Sequence, residues 1–264
     1  MINTMKTSIC IDMMYADKPF AEKVRAAKRD GFDAIEFWKW SNKDIDEVKA
    51  LLDETGLSFA IMNIDVQDET LSYDLSRGIL NAGRADDLIK AIRESAPVYH
   101  VVGATALIVL IGETRDDISK EEQYENVYRC LAAAASVAEE CDVNLIVEPL
   151  NDIDRKNYFM PYARPLFEIL ERVNSPRVKM LYDIYHQNMM GDFSLDDVHE
   201  FLHRIGHFHV ADAPGRHQPG TGCVDYVGIL RDICSTSYDG YIGLEYRPTC
   251  PDYQTFGFLA EVTP

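Results

Sequence analysis

The chain has no cysteine pair at metal-binding or redox spacing. Cys10, Cys130, Cys141, Cys223, Cys234 and Cys250 are scattered without a CxxC, which argues against a zinc ribbon or dithiol centre and makes them reduced thiols. No apolar run reaches the roughly 18 residues of a membrane span, and none of signal-peptide length precedes Asp12. No membrane association and a cytoplasmic location are therefore expected. Positive charge is scarce: 26 Lys and Arg stand against 44 Asp and Glu, giving a formal charge of −18 and a pI near 4.7. A nucleic-acid surface would have to overcome that long-range field, so no nucleic-acid partner is expected. A small anionic ligand is still compatible, because a few local Arg and His residues can make a positive pocket inside an acidic protein. There is no Pro/Gly/Ser-rich linker, low-complexity run or clear internal repeat, and no GxGxxG follows the first strand. The sequence thus predicts one domain over residues 1–264 and argues against a dinucleotide-binding open sheet.

What is present is a regular alternation. The 264 residues are 47% apolar, enough for a large core. Strands are expected at Ser8–Met14, Asp33–Trp38, Leu57–Ile64, Ala106–Ile111, Val143–Val147, Val178–Tyr182, His207–Val210 and Tyr241–Leu244. Helices are expected at Pro19–Asp30, Lys43–Thr55, about Arg77–Val101, Ser119–Cys141, Tyr162–Val173, Leu195–Ile205 and Val227–Ser235, with Asp65–Tyr73 as a polar loop. Short buried strands alternating with amphipathic helices pair in parallel, and eight such units close into a (β/α)8 barrel, the TIM barrel.

Four strand-like runs end in a group that can hold a metal: Glu148 in NLIVEPL, Asp183 in VKMLYDIYH, His209 in HFHVADAPGRHQPGTG and Glu245 in YIGLEYRP. In a parallel barrel the C-terminal strand ends share one face, so these residues can converge despite their separation in the chain. Each alone reads as well as a strand-end charge, a helix cap or a satisfied core histidine. Four at successive strand ends favour a shared site. Three carboxylates with one imidazole suit Mn²⁺ or Mg²⁺ better than a structural Zn²⁺.

EPLN at 148–151, YDIYHQNMMGD at 182–192, HVADAPGRHQPGTG at 209–222 and GLEYRP at 243–248 resemble the hydroxypyruvate isomerase family, within the wider xylose-isomerase-like sugar isomerase and epimerase barrels. The likeness is strong from about residue 143 to 248 and mainly architectural before that. It implies that Glu148, Asp183, His209 and Glu245 are metal ligands, that Glu148 and Glu245 double as the acid/base pair, and that His186 and Arg216 contact substrate. The implied activity is metal-assisted isomerisation of a small 2-hydroxy carbonyl compound through an enediolate, first of all hydroxypyruvate to tartronate semialdehyde. A ketose 3-epimerase is the alternative, and a non-catalytic ligand-binding barrel a more distant one. A nuclease on this barrel would want more His ligands and a basic surface. Three positions depart from the family pattern. His209 stands where hydroxypyruvate isomerases often carry Gln and ketose 3-epimerases His; the Asp65–Tyr73 loop lacks a Gly-Asp-Trp; and Cys223 replaces a usual Glu.

Arg216 and His217 are candidates for a substrate carboxylate or hydroxyls. An Arg in a Gly/Pro loop serves equally to pin that loop to an acidic neighbour; the sequence favours substrate for Arg216 and neither role for His217. Glu36, Asn63 and Glu113 are strand-end candidates for supporting roles. Trp38, Lys39 and Trp40 suit a pocket wall or a subunit contact equally, and a homo-oligomer stays open. His199, His203 and His207 are expected to have no metal role.

Overall fold

The computed structural model describes residues 5–262. Residues 1–4, part of the stretch read as carrying no leader, and residues 263–264 lie outside the described residues. The apolar runs become short strands and the amphipathic runs the helices covering them. In chain order these are β1 (Lys6–Cys10), α1 (Phe20–Arg29), β2 (Ala34–Glu36), α2 (Ile45–Thr55), β3 (Ser58–Phe59), β4 (Ile61–Asn63), α3 (Glu69–Arg77), α4 (Ala85–Val102), β5 (Ala106–Leu110) and α5 (Lys120–Glu140). There follow β6 (Leu145–Glu148), α6 (Ala163–Val173), β7 (Val178–Asp183), α7 (Ile184–Met189), α8 (Leu195–Glu200), β8 (Ile205–Val210), α9 (Tyr226–Ser235), β9 (Tyr241–Leu244) and α10 (Gly257–Val262).

All strand pairs are parallel, in the order β3-β2-β1-β9-β8-β7-β6-β5-β4. The two ends of that order are consecutive in the chain, and Ala60 between them bonds to both sides. Its N–H donates to Ile35 O at 2.8 Å, and its carbonyl accepts from Thr105 N at 2.8 Å. The result is a nearly closed barrel in which β3 and β4 make one stave. Eight strands are expected and nine are found among the described residues, because this stave pairs first with β2 (Ile35 with Phe59) and then with β5 (Ile61 with Ala106).

Strand β5 is buried at every position, as a strand covered on both faces should be. Helix α6 buries Leu166, Phe167, Ile169 and Leu170 while Glu168, Glu171 and Arg172 face out; each such apolar side chain contributes about 1.5–3 kcal/mol when fully buried. Asp44, Asp68, Ser119, Ser194 and Asp225 cap α2, α3, α5, α8 and α9 by accepting a first-turn N–H, each worth about 1 kcal/mol.

The helix expected over about Arg77–Val101 begins only at Ala85, as α4, and a separate helix, α3 (Glu69–Arg77), lies ahead of it and takes up the second half of the expected Asp65–Tyr73 loop. Asp68 caps α3, and Gly78 ends it with φ +95°, which halts the chain before α4 begins at Ala85. The helix expected to run to Ile205 stops at Glu200, because Ile205 is already registered against Met180 in the sheet. Helix α7 was not expected; it forms because Asp183 Oδ1 accepts from Tyr185 N at 2.8 Å and His186 N at 3.2 Å. Among the described residues, no helix is long and apolar enough to cross a membrane.

Candidate functional site

The C-terminal ends of β6 to β9 bring Glu148, Asp183, His209 and Glu245 together, each offering one ligand atom within 4.8 Å of the others. Sheet register accounts for this. Asp183 lies beside His209, and Glu245 N donates to Val210 O at 3.1 Å, which places each side chain on the same rim. All four are buried. His209 Nδ1 lies 3.9 Å from Glu148 Oε1 and 3.5 Å from Glu245 Oε2. Glu148 Oε1 and His209 Nδ1 are nonetheless without a hydrogen-bond partner among the described residues. Buried polar atoms left unpaired carry a desolvation cost that a cation between them would offset.

The other imidazole nitrogen is fixed from below. His209 Nε2 lies 3.0 Å from Glu36 Oε1, while Glu36 Oε2 accepts from Ser8 Oγ at 2.9 Å and lies 3.3 Å from His207 Nε2. A proton on Nε2 directed at Glu36 leaves Nδ1 facing the carboxylates, the arrangement that orients a ligating imidazole. Gly243 makes room for it: a Cβ there would lie 2.6 Å from His207 Nε2 and 2.7 Å from Glu36 Oε1. Glu36, His207 and His209 form a second group close enough to share an ion. His207, expected to have no such part, is fully buried beside the site because it alternates with His209 on one face of β8.

Burial pushes the Asp183 carboxyl up to about 7, against the lowering charges of Arg216 and His209. Burial likewise raises Glu148. It acts to raise Glu245 too, but Arg216 and His209 outweigh it and hold that group below its usual range. Burial also opposes ionisation of Glu36, yet the His209 and His207 partners prevail and hold it well below the carboxylate range. For His209, burial lowers, but the charges of Glu245 and Glu36 win and raise it well above the ordinary imidazole value. A cation at Nδ1 would take the place of that proton.

Arg216 comes in from the loop after β8, with its backbone in the left-handed region at φ +55°. Its Nη2 donates to Glu245 Oε2 and lies 3.9 Å from Asp183 Oδ2. Asp212 holds the loop in shape, its carboxylate accepting from the amides of Ala213, Gly220, Gly222 and Val224 at 2.7–3.2 Å. Sequence reasoning missed Asp212, although Asp ahead of Ala-Pro-Gly is an Asx-turn signal. Trp38 Nε1 donates to Glu245 Oε1 at 2.7 Å, whereas Trp40 is core, donating to Ser95 Oγ at 3.0 Å. His186 is buried under the site: Nδ1 accepts from Asn151 N at 3.1 Å and Nε2 lies 3.5 Å from Asp183 Oδ2. Burial keeps it neutral, with the charges of Arg216 and His209 adding to the effect. His217 Nδ1 contacts Arg247 O at 2.7 Å. Neither histidine lines the cavity above the carboxylates, whereas Arg216 and Asn63 do. Glu113 pairs with Arg77, His199 with Asp232 and His203 with Glu171.

That cavity has a volume of about 690 Å³, and Glu148, Glu245 and Arg216 are among its lining residues. It is of the size that takes a small molecule.

The family model described as xylose isomerase-like TIM barrel matches residues 24–258. A 2-oxo-tetronate isomerase of Cupriavidus necator is 30% identical over 251 residues, covering 94% of this chain and 95% of that protein. A hydroxypyruvate isomerase of Escherichia coli K12 is 26% identical over 245 residues, covering 92% of this chain and 94% of that protein. A solved structure of an AP endonuclease, family 2, from Brucella melitensis superimposes with a TM-score of 0.86 at 22% identity, covering 97% of this chain and 98% of that one; at this identity the likeness is one of fold.

Proposed function

The chain belongs to the xylose isomerase-like TIM barrel family, and from that premise we propose that it isomerises a small 2-hydroxy carbonyl compound with a divalent cation held by Glu148, Asp183, His209 Nδ1 and Glu245. The observation that carries this reading is the buried quartet, two of whose ligand atoms have no hydrogen-bond partner among the described residues. Its donors, three carboxylates and one imidazole, match Mn²⁺ or Mg²⁺. When bound, such a cation supplies Lewis acidity toward a substrate carbonyl. The protein supplies the rest. One of Glu148 and Glu245 takes the proton from the hydroxyl-bearing carbon, leaving an enediolate, and a proton returned to the neighbouring carbon completes the aldose–ketose exchange. Trp38 and Arg216 fix Glu245 in place, Glu36 fixes His209, and His186 sits against Asp183.

Hydroxypyruvate, converted to tartronate semialdehyde, is the first substrate to expect, supported by relatives named as isomerases of 2-oxo acids. NMR product analysis of hydroxypyruvate and small ketoses incubated with the Mn²⁺-loaded protein tests this. Tartronate semialdehyde is the expected product. A ketose inverted at its third carbon would make the protein a 3-epimerase, and no turnover of any compound would overturn the reading.

Arg216→Ala is expected to raise KM for an anionic substrate about tenfold or more, with a smaller change in kcat, as when mainly uniform binding is lost. An unchanged KM in steady-state kinetics would leave Arg216 as a clamp on Glu245.

A further inference from the structure

The cavity contains cationic groups that the isomerase reading leaves unused. Five cationic side chains line it: Lys39, Lys43, Arg77, Arg155 and Arg216. Three are matched to acids: Lys43 to Asp12 at 3.4 Å, Arg77 to Glu113, and Arg216 to Glu245. Arg155 and Lys39 have no carboxylate within 4.0 Å among the described residues. Arg155 Nη2 donates to the carbonyl of Ser76 at 2.7 Å, its buried Nε has no partner among the described residues, and Lys39 Nζ donates to Ser72 Oγ at 2.8 Å. Burial, with the like charge of Arg77, pushes the Arg155 pKa down. In a chain of net charge −18, a half-buried guanidinium that is left without an acid and set near a second guanidinium is unfavourable until an anion arrives.

Size points the same way. At about 30 Å³ per water, 690 Å³ holds on the order of twenty waters, far more than a three-carbon acid displaces.

We propose that Arg155, with Lys39, forms a second anion subsite that selects substrates whose end remote from the reacting carbons is an oxyanion, either a carboxylate or a phosphate. The proposal rests on the isomerase reading and adds the substrate class to it. Arg155 comes from the loop after β6 and Lys39 from the loop after β2, so the subsite is assembled across the cavity from two staves.

The test compares kcat/KM of the Mn²⁺-loaded protein for 2-hydroxy carbonyl compounds of equal chain length ending in a hydroxymethyl, a carboxylate or a phosphate. At least one anionic end is expected to be preferred by about tenfold or more, the scale of one charge-assisted hydrogen bond, and the better of the two identifies the source. Arg155→Met should collapse that preference, Arg155→Lys should restore part of it, and Arg129→Met on the exposed face of α5 should keep it. A second arm needs no turnover: sulfate is titrated by calorimetry into the Mg²⁺-loaded protein, with a thermal melt showing that each variant is folded. Sulfate affinity lower by about tenfold in Arg155→Met supports the subsite. If no compound turns over while that loss is seen, the isomerase reading fails and the anion subsite stands. If the wild type ignores the charge of the remote end, or Arg155→Met binds sulfate as the wild type does, the subsite is overturned.

Discussion

Glu148→Gln and Glu245→Gln are each expected to lower kcat by at least about a hundredfold, the range usual for acid/base groups, with the cation still bound. Glutamine keeps the shape and one oxygen donor and removes the basic oxygen. The two carboxylates are not held alike. Glu245 is anchored through both oxygens, by Trp38 and by Arg216, whereas Glu148 has one oxygen with no partner among the described residues. Loss of either should therefore stop turnover for a different reason. One variant is expected to go on exchanging a substrate proton with solvent without forming product, which would show that the two groups serve separate half-reactions. Steady-state kinetics alongside calorimetric metal titration checks this. Near-normal kcat in either variant would reduce that residue to a ligand and send the search for the base elsewhere, first to His186.

Removing the metal is expected to abolish activity, with Mn²⁺, and less effectively Mg²⁺, restoring it. Full activity in rigorously metal-free protein would refute the Lewis-acid role. Stability should follow a pH pattern set by the same groups. In the metal-free protein Asp183 is raised to about 7 and His209 is raised well above its ordinary value. Groups raised on folding favour the folded state at low pH, and that contribution is lost as pH rises through their folded pKa values. The metal-free protein should thus lose the Asp183 contribution as pH climbs from about 4 through about 7, and the His209 contribution only as pH rises from about 6.5 upward. Cation binding displaces the same protons and strengthens over that window. The rise in Tm produced by Mn²⁺ should therefore grow from pH 5 to pH 8. A rise independent of pH, measured by calorimetric melts, would mean that neither Asp183 nor His209 exchanges its proton for the metal.

The barrel was legible because the alternation of buried runs and amphipathic runs leaves little choice of topology once no linker or dinucleotide loop interrupts it. The same rule makes the rim legible. Given parallel strands, the last polar residue of NLIVE, KMLYD and GLE must sit at one face, and the structure brings Glu148, Asp183 and Glu245 together with His209 there. Other groups at the site leave weaker traces. Glu36 closes a strand of only three residues and contacts His209, 173 positions away. His207 was separable from a strand-edge residue only by its two-residue offset from His209. Arg155 lies in an irregular polar segment, where spacing says nothing about which way a side chain turns. Helix α3 was hidden because Asp68 read as one more polar loop residue, although it is the cap that starts the helix.

The central claim is that these carboxylates move a proton on a substrate held above them. Its most direct test is the conversion of hydroxypyruvate by the Mn²⁺-loaded protein in D₂O, followed by NMR. The account predicts tartronate semialdehyde carrying solvent deuterium at the carbon that receives the returned proton, and no deuterium incorporation in the Glu148→Gln, Glu245→Gln double variant. Product formed at the normal rate without deuterium, or deuterium entering as fast in the double variant as in the wild type, would contradict it.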